Sequence, residues 1–534
     1  MDFNWDNPKP INEQVFSADN LGRAKYATYL TSLIKAKGGT DKNNLSNYVL
    51  NLDAEWGAGK TYFLKRWSED LKGNHPVVYI DAWAIDYLES PLMTVLSEII
   101  EQLKTQTDKI DPDETQRKLN GVIKAAAPRI GSALMKRYLG FDFNIFDSTE
   151  TNEGQLTGSG KEVDFSKAGE KVLEVFCKEV TDSKESVKTL KLAIQSWVEY
   201  VVNTPIKDMK TITNSFPAFI FIDELDRCKP TYAVEMLEAI KHVFDIPGLS
   251  FIVATNTQQL AHTVKAVYGA GFNAEEYLSR FFDNKYILRT RVSKSLLENY
   301  CQLKSFSKEQ LISREVILFP FVNFEKGDFY SLCNDIFNAL DLSPRQSIKV
   351  LNRAESIFAN VNNGKTIDVP YVMTLLSFME KDITKYDLLI DSFISNRTLD
   401  YFNKNNPIIY SKLASVKLDI SINYFNDRRL YKRIPSDQLD YESSSMQQEA
   451  PDYVYKQNTS LSEYLKVFGG LYESNSEVSN TALIKIHNKL LDSIPKQSYG
   501  EDIKLRFQLS FLIFENTLNL GDYRELAEIS AHLD

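Results

Sequence analysis

Lys60 and Thr61 carry the most legible chemistry in this chain. They follow a turn of small residues, Ala54-Glu55-Trp56-Gly57-Ala58-Gly59, which closes a short apolar run (Tyr48, Val49, Leu50, Leu52). They also open a helical run beginning Tyr62-Phe63-Leu64. Backbone N–H groups of such a turn point inward as an anion nest, and the helix dipole adds roughly half a positive charge at the same spot. Lys60 can reach the β- and γ-phosphates of a triphosphate there, and the Thr61 hydroxyl can ligate Mg²⁺. Trp56, Gly57, Ala58, Gly59 and Tyr62 complete the residues expected around that ligand. Ala54 stands where the strict motif has glycine, and its methyl group is tolerable if φ stays negative. The plain alternative is a strand–helix turn that binds nothing. Against it, strand, turn, Lys-Thr and helix all occur in the required order.

The second half of the site lies far downstream. Residues 216–224 form an apolar run ending in Asp223 and Glu224. Such a run reads as a strand buried on both faces, and carboxylates at its C-terminal end emerge where ligands bind in open α/β sheets. Asp223 is expected to hold Mg²⁺ through water, and Glu224 to polarise the attacking water. A strand that merely ends in acidic turn residues is common, so this signal gains its weight from the phosphate-binding turn. Residues 249–256 form another apolar run, ending in Asn256. That side chain is placed either to meet the γ-phosphate or attacking water, or simply to cap the next helix.

These residues need a scaffold. Two further strands are read at 77–82 and 285–288, and five strands with helical crossovers make a three-layer α/β core around a parallel sheet. The spacing predicts a core over residues 1–292 with a helical insertion at about 105–213, a helical lid over 293–385, and an all-α C-terminal domain over 386–534. Pro344 suits the first turn of a lid helix, whereas Arg345 beside it opposes the helix dipole and points to an anionic partner, or else pairs with Asp341.

The chain resembles the KAP family of P-loop NTPases, within the AAA-like branch that carries an extra catalytic acid beside the Mg²⁺ aspartate. The match rests on Asp19-Asn20-Leu21-Gly22-Arg23, the turn with its internal Trp56-Gly57, and Asp81-Ala82-Trp83 followed by Pro91-Leu92. Its most specific phrase is Ile222-Asp223-Glu224-Leu225-Asp226-Arg227-Cys228-Lys229-Pro230. Tyr277-Leu278-Ser279-Arg280-Phe281-Phe282 and Ser343-Pro344-Arg345 with Asn352-Arg353 extend it, so that it covers about residues 10–355. The family usually has two aspartates at 223–224 and an acid at 256, and often Lys at 280. The first two changes move this chain toward the hydrolytic AAA pattern. The resemblance implies ATP (or GTP) and Mg²⁺ as ligands, with Arg23 beside the nucleotide base. It also implies Arg345 as a sensor of the γ-phosphate, and Arg280 as a finger reaching an adjacent subunit in a homo-oligomer. Soluble bacterial relatives act in anti-phage systems, the Qat type being the specific suspicion, with effector proteins encoded nearby.

Composition frames these motifs. The chain has 534 residues, 43% hydrophobic and 25% charged, which is ordinary for a globular protein of several domains. A net charge of −10 makes it no general magnet for nucleic acid, although basic clusters at 184–191 and 428–433 leave a local contact open. Cys177, Cys228, Cys301 and Cys333 are widely spaced without a metal-ligand pattern, and the acidic N-terminus carries no targeting signal, so a reduced, cytoplasmic chain is expected. Many relatives span a membrane between the two nucleotide motifs. The candidate stretch here, 121–138, contains Lys124, Arg129, Lys136 and Arg137 and fails that test.

Within the insertion, helical periodicity at 122–138 and 172–202 is divided by a polar stretch at 148–161, and the flanking helices are the expected docking surface. Further helices are expected at 386–402, 461–471, 481–491 and 506–518, with a loop at 435–460. Two functional classes emerge: an ATPase coupling turnover to conformational change in a multiprotein assembly, or a nucleotide-dependent scaffold with little turnover.

Overall fold

The computed structural model describes residues 2–88, 90–106, 122, 184–203, 214–289, 291–300, 308–321, 326–394, 404, 406–423, 454–472 and 518–531. The polypeptide divides into two compact units, residues 1–289 and 290–534.

Five parallel strands organise the first unit: β3 (Tyr48–Asp53), β4 (Val77–Asp81), β5 (Ala218–Asp223), β6 (Leu249–Thr255) and β7 (Asn284–Ile287). Their order is β4-β5-β6-β3-β7. The strands preceding them, β1 (Lys9–Ile11) and β2 (Gln14–Phe16), make a small separate hairpin. Alternation along the central strands assigns the two faces. On β5, Phe219 and Phe221 face one core with Trp67, while Ile220 and Ile222 face the other with Ile99 and Trp197. Both faces are buried, so β5 and β6 read as nearly unbroken apolar runs rather than alternating ones.

One layer holds α1 (Ala24–Gly38) and α2 (Lys60–Leu71). The opposite layer holds α3 (Pro91–Lys104), α4 (Lys184–Asn203), α5 (Pro230–His242), α6 (Thr257–Tyr268) and the short α7 (Ala274–Ser279). The expected three-layer architecture is therefore present. Within the insertion, Leu190, Ile194, Trp197, Val198 and Val201 bury one face of α4 in the core. The periodicity expected at 123–138 and the polar divider lie outside the described residues.

The second unit is mainly helical: α8 (Lys294–Tyr300), α9 (Lys308–Ser313), α10 (Lys326–Ala339), α11 (Pro344–Asn360), α12 (Val369–Lys381), α13 (Ile383–Ile394), α14 (Pro407–Ser415), α15 (Leu461–Tyr472) and α16 (Leu520–Ala531). Ser343 and Gln346 close a reciprocal capping box at the start of α11, with Pro344 inside the first turn. The expectation of purely α-helical units needs amendment here. A parallel pair joins β8 (Ile317–Phe319) to β9 (Thr366–Asp368), and an antiparallel pair joins β10 (Lys417–Asn423) to β11 (Val454–Ser460). Strand β11 (Val-Tyr-Lys-Gln-Asn-Thr-Ser) occupies part of the stretch read as a loop, because a mostly polar run carries little apolar period. Of the helices expected at 481–491 and 506–518, only Leu518 lies within the described residues.

Candidate nucleotide-binding site

The phosphate-binding turn sits between β3 and α2, at the C-terminal edge of the sheet. Gly57 and Gly59 both have positive φ, at 79° and 80°, a conformation glycine adopts without strain. Ala54 is anchored by its N–H to the Thr255 carbonyl at 3.0 Å. Ala54 is absent from the positive-φ residues, so the methyl group at the usual glycine position is accommodated.

Lys60 is buried, only 8% exposed, and its ammonium donates to the Ala54 carbonyl at 2.5 Å. Burial lowers its pKa, and Asp226, Asp223 and Asp53, in that order, oppose the shift. Thr61 lies next in the chain, and its hydroxyl hydrogen-bonds the Asp223 carboxylate. The two residues expected to hold Mg²⁺ therefore touch, although they are far apart in sequence. Asp223 also accepts from the Tyr79 hydroxyl at 2.9 Å, and burial raises its pKa against these hydrogen bonds. The β4–β5 register sets Asp81 directly beside Asp223.

Glu224 follows in left-handed backbone geometry, at φ 58°. For a residue other than glycine this is uncommon, and it turns the chain sharply where the strand stops. Its carboxylate accepts from the Arg227 guanidinium at 2.9 Å, while its pKa is raised chiefly by burial and held back by Arg227. Asn256, at the tip of β6, caps α6 by accepting from the Gln259 N–H at 3.3 Å. The capping alternative is thus realised, and the amide nitrogen remains a donor for other use.

Four further expected residues have the following surroundings. Arg23, expected beside the base, commits its buried guanidinium to the turn: it donates to the Gly59 carbonyl at 2.7 Å and to the Ala58 carbonyl. Burial lowers its pKa to about 10. Asp19 fixes that placement by accepting from the N–H groups of Leu21, Arg23 and Ala24. Tyr62 donates its hydroxyl to the Ser17 carbonyl at 2.9 Å and packs edge-on against Trp5. Arg280 is 72% exposed and pairs with Glu276 at 3.0 Å, one helical turn away. Arg345 belongs to the second unit, where it is exposed in the first turn of α11. Its suggested partner Asp341 pairs instead with Lys412.

Several site residues were not singled out from the sequence. Asp53 ties the site to its neighbours, accepting from the Thr257 N–H at 2.8 Å and pairing with Lys285 at 2.8 Å. Asp226 accepts from the Trp56 indole at 2.6 Å and is the leading charge opposing the Lys60 shift. Arg227 lies against both the Trp56 and Trp83 rings. A usable signal was the dense run of charge at the end of β5, three acids and one base from Asp223 through Arg227, which exceeds what a plain turn needs.

The KAP family P-loop domain matches residues 23–315, more than half of the chain. The chain belongs to the KAP family. Its first unit is accordingly a nucleotide-binding domain of the P-loop NTPase class, and the family implies a nucleotide, usually with Mg²⁺. The residues present fit that pair: a buried ammonium at a glycine turn, and a hydroxyl and carboxylate in mutual contact beside it. Among the described residues, no group of three or more His, Cys, Asp or Glu could hold a metal. No helix among them is long and apolar enough to cross a membrane. No curated protein matches the chain. Among solved structures, the Aeropyrum pernix ORC2 protein in its ADPNP and ADP complexes aligns over 96% of this chain and 94% of its own. Identity there is 12% and the TM-score 0.28, so the likeness carries no argument about this KAP protein.

Proposed function

We propose that this KAP protein is an ATPase that turns over Mg–ATP at the site between β3, β5 and β6, and couples hydrolysis to a conformational change in a multiprotein assembly. The observation that carries the reading is the meeting of Lys60, Thr61 and Asp223, with Glu224 next in the chain. Bound magnesium would neutralise charge on the β- and γ-phosphate oxygens. The turn's N–H groups and Lys60 bind the phosphates, Thr61 and Asp223 orient the cation's shell, and Glu224 holds the attacking water. Asn256 is available to orient the same water or the γ-phosphate.

Placement in anti-phage defence, with effector proteins encoded nearby, rests on kinship with soluble family members rather than on any residue here. Arg280 and Arg345 are proposed as the residues through which a neighbouring subunit and the helical unit sense the nucleotide. Both are exposed, as such roles require.

Glu224→Gln tests the enzyme assignment, with phosphate release and nucleotide retention measured on the same preparation. Steady hydrolysis should collapse by roughly a hundredfold or more while Mg–ATP binding persists. Equal phosphate release from wild type and variant would leave a nucleotide-dependent scaffold as the function.

A further inference from the structure

Five tryptophans stand in this chain: Trp5, Trp67 and Trp197 are buried, whereas Trp56 and Trp83 are 47% and 51% exposed. The two exposed indoles lie against the same guanidinium. Arg227 is centred 5.9 Å from the Trp56 ring and 5.3 Å from the Trp83 ring. Its Nη1 donates to Glu224 at 2.9 Å. Trp56 belongs to the phosphate-binding turn, Trp83 follows β4, and Arg227 closes the tight turn after β5. One guanidinium therefore joins three separate segments to one carboxylate. Trp56 is pinned to the same tight turn a second time, through its indole N–H on Asp226 at 2.6 Å.

An exposed i,i+3 ion pair is ordinarily worth little, because water screens it and side-chain entropy opposes it. Here the guanidinium lies over two aromatic rings within cation–π range, which restrains its rotamers and leaves its fork aimed at one acceptor. Glu224 needs such help. Its left-handed backbone sits at a strand tip with no side-chain cap, and its carboxylate has Asp81, Asp223 and Asp226 as like-charged neighbours.

We infer that Arg227, clamped between Trp56 and Trp83, is a positioning residue that fixes the Glu224 carboxylate and links its placement to the phosphate-binding turn. The inference rests on the proposed role of Glu224. A nucleotide entering the turn moves or stiffens Trp56, the guanidinium follows because it lies over that ring, and the carboxylate is set with it.

Arg227→Gln removes the charge and the fork while keeping length and polarity. Its kcat for ATP should fall by at least about tenfold with KM within about threefold, as expected when a reacting group is misplaced rather than binding lost. Arg227→Lys should recover part of the loss. Trp83→Ala lies outside the turn and should reproduce a smaller fall in kcat. A spectroscopic readout accompanies the kinetics. In Glu224→Gln carrying Trp56→Phe, Trp83 is the one exposed indole among the four tryptophans that remain, and Mg–ATP should change its emission or acrylamide quenching. Adding Arg227→Gln should abolish that change while equilibrium dialysis still detects bound nucleotide. Unchanged kcat in Arg227→Gln, or a loss confined to KM, overturns the positioning role. If Glu224→Gln is inactive and Arg227→Gln normal, that role falls alone. If Glu224→Gln turns over like wild type, the catalytic reading falls and takes it along.

Discussion

A buried ammonium is costly unless its surroundings repay the lost water, and at Lys60 the protein's own groups do so. The Ala54 carbonyl accepts a hydrogen bond from it, and Asp226, Asp223 and Asp53 supply negative charge around it. A triphosphate would replace these partners with stronger ones, which makes Lys60 a binding residue first. Lys60→Ala should weaken Mg–ATP binding by about tenfold or more, since charge-assisted hydrogen bonds to phosphate are lost. Titration of a fluorescent ATP analogue checks this, and undiminished affinity would remove the site assignment. Asp226 belongs to the same balance. Trp56 satisfies one of its oxygens, while the other is buried with no hydrogen-bond partner among the described residues. Such an atom favours a nearby cation, and Lys60 is the one it opposes most directly in the shift. Asp226→Asn should therefore loosen nucleotide binding only mildly, by less than about tenfold, because it removes support for Lys60 rather than a ligand. A loss as large as that of Lys60→Ala would place Asp226 in the first rank of binding residues.

At the level of elements, the turn owes its shape to a strut from outside it. Asp19 organises the start of α1, Arg23 follows, and its guanidinium occupies the Ala58 and Gly59 carbonyls. Those two bonds fix the carbonyls that end the turn, and with them the path of its backbone into α2. A Cβ at Gly59 would come within 2.9 Å of Arg23 Nη1, so Gly59→Ala meets both a clash and an unfavourable φ. Arg23→Met keeps the buried volume but removes the donors, and it should weaken nucleotide binding while leaving Glu224 chemistry intact. A fall in kcat at saturating ATP would instead put Arg23 at the reacting atoms. The second unit has a comparable knot. Asp368 caps α12 through the Tyr371 N–H and accepts from the Tyr464 hydroxyl on α15, while its own N–H reaches the Tyr523 hydroxyl on α16. Burial raises its pKa from 3.8 to about 7 against those hydrogen bonds. The folded form thus keeps a proton that the unfolded chain releases above about 4. Stability from this group is complete below that value and is lost as pH rises toward 7. Asp368→Asn should flatten that slope in urea titrations at pH 5 and pH 8, and an unchanged slope would assign it elsewhere.

Across the whole molecule, legibility followed physical periodicity. The five core strands and the turn between β3 and α2 could be read because buried parallel strands make long apolar runs, and glycine with Lys-Thr has one strong structural meaning. Strand β10 carried a period-two signal that was passed over, Leu418, Ile420 and Ile422 alternating with Lys417, Asp419, Ser421 and Asn423, whereas its partner β11, with Lys456, Gln457 and Asn458, offers no apolar alternation to recognise. Arg23, Arg227 and Asp226 were legible as charges but not as contacts, since a one-dimensional string does not say which carbonyl or ring a guanidinium meets. The two units also differ in what acts on them. The candidate ligand site lies wholly in residues 1–289, whereas the Asp368 proton lies in residues 290–534. A ligand binding only the native state stabilises by mass action, about 2.7 kcal/mol at a hundredfold excess over Kd. Mg–ATP should therefore slow hydrogen exchange in β3, α2 and β5, whereas raising the pH from 5 to 8 should increase opening, after correction for intrinsic exchange, at α12, α15 and α16. Mass spectrometry of peptides from Glu224→Gln, which holds nucleotide without consuming it, resolves the two effects. Protection by Mg–ATP that bypassed β3 and α2 while appearing only in the helical unit would place the nucleotide somewhere other than the Lys60 turn.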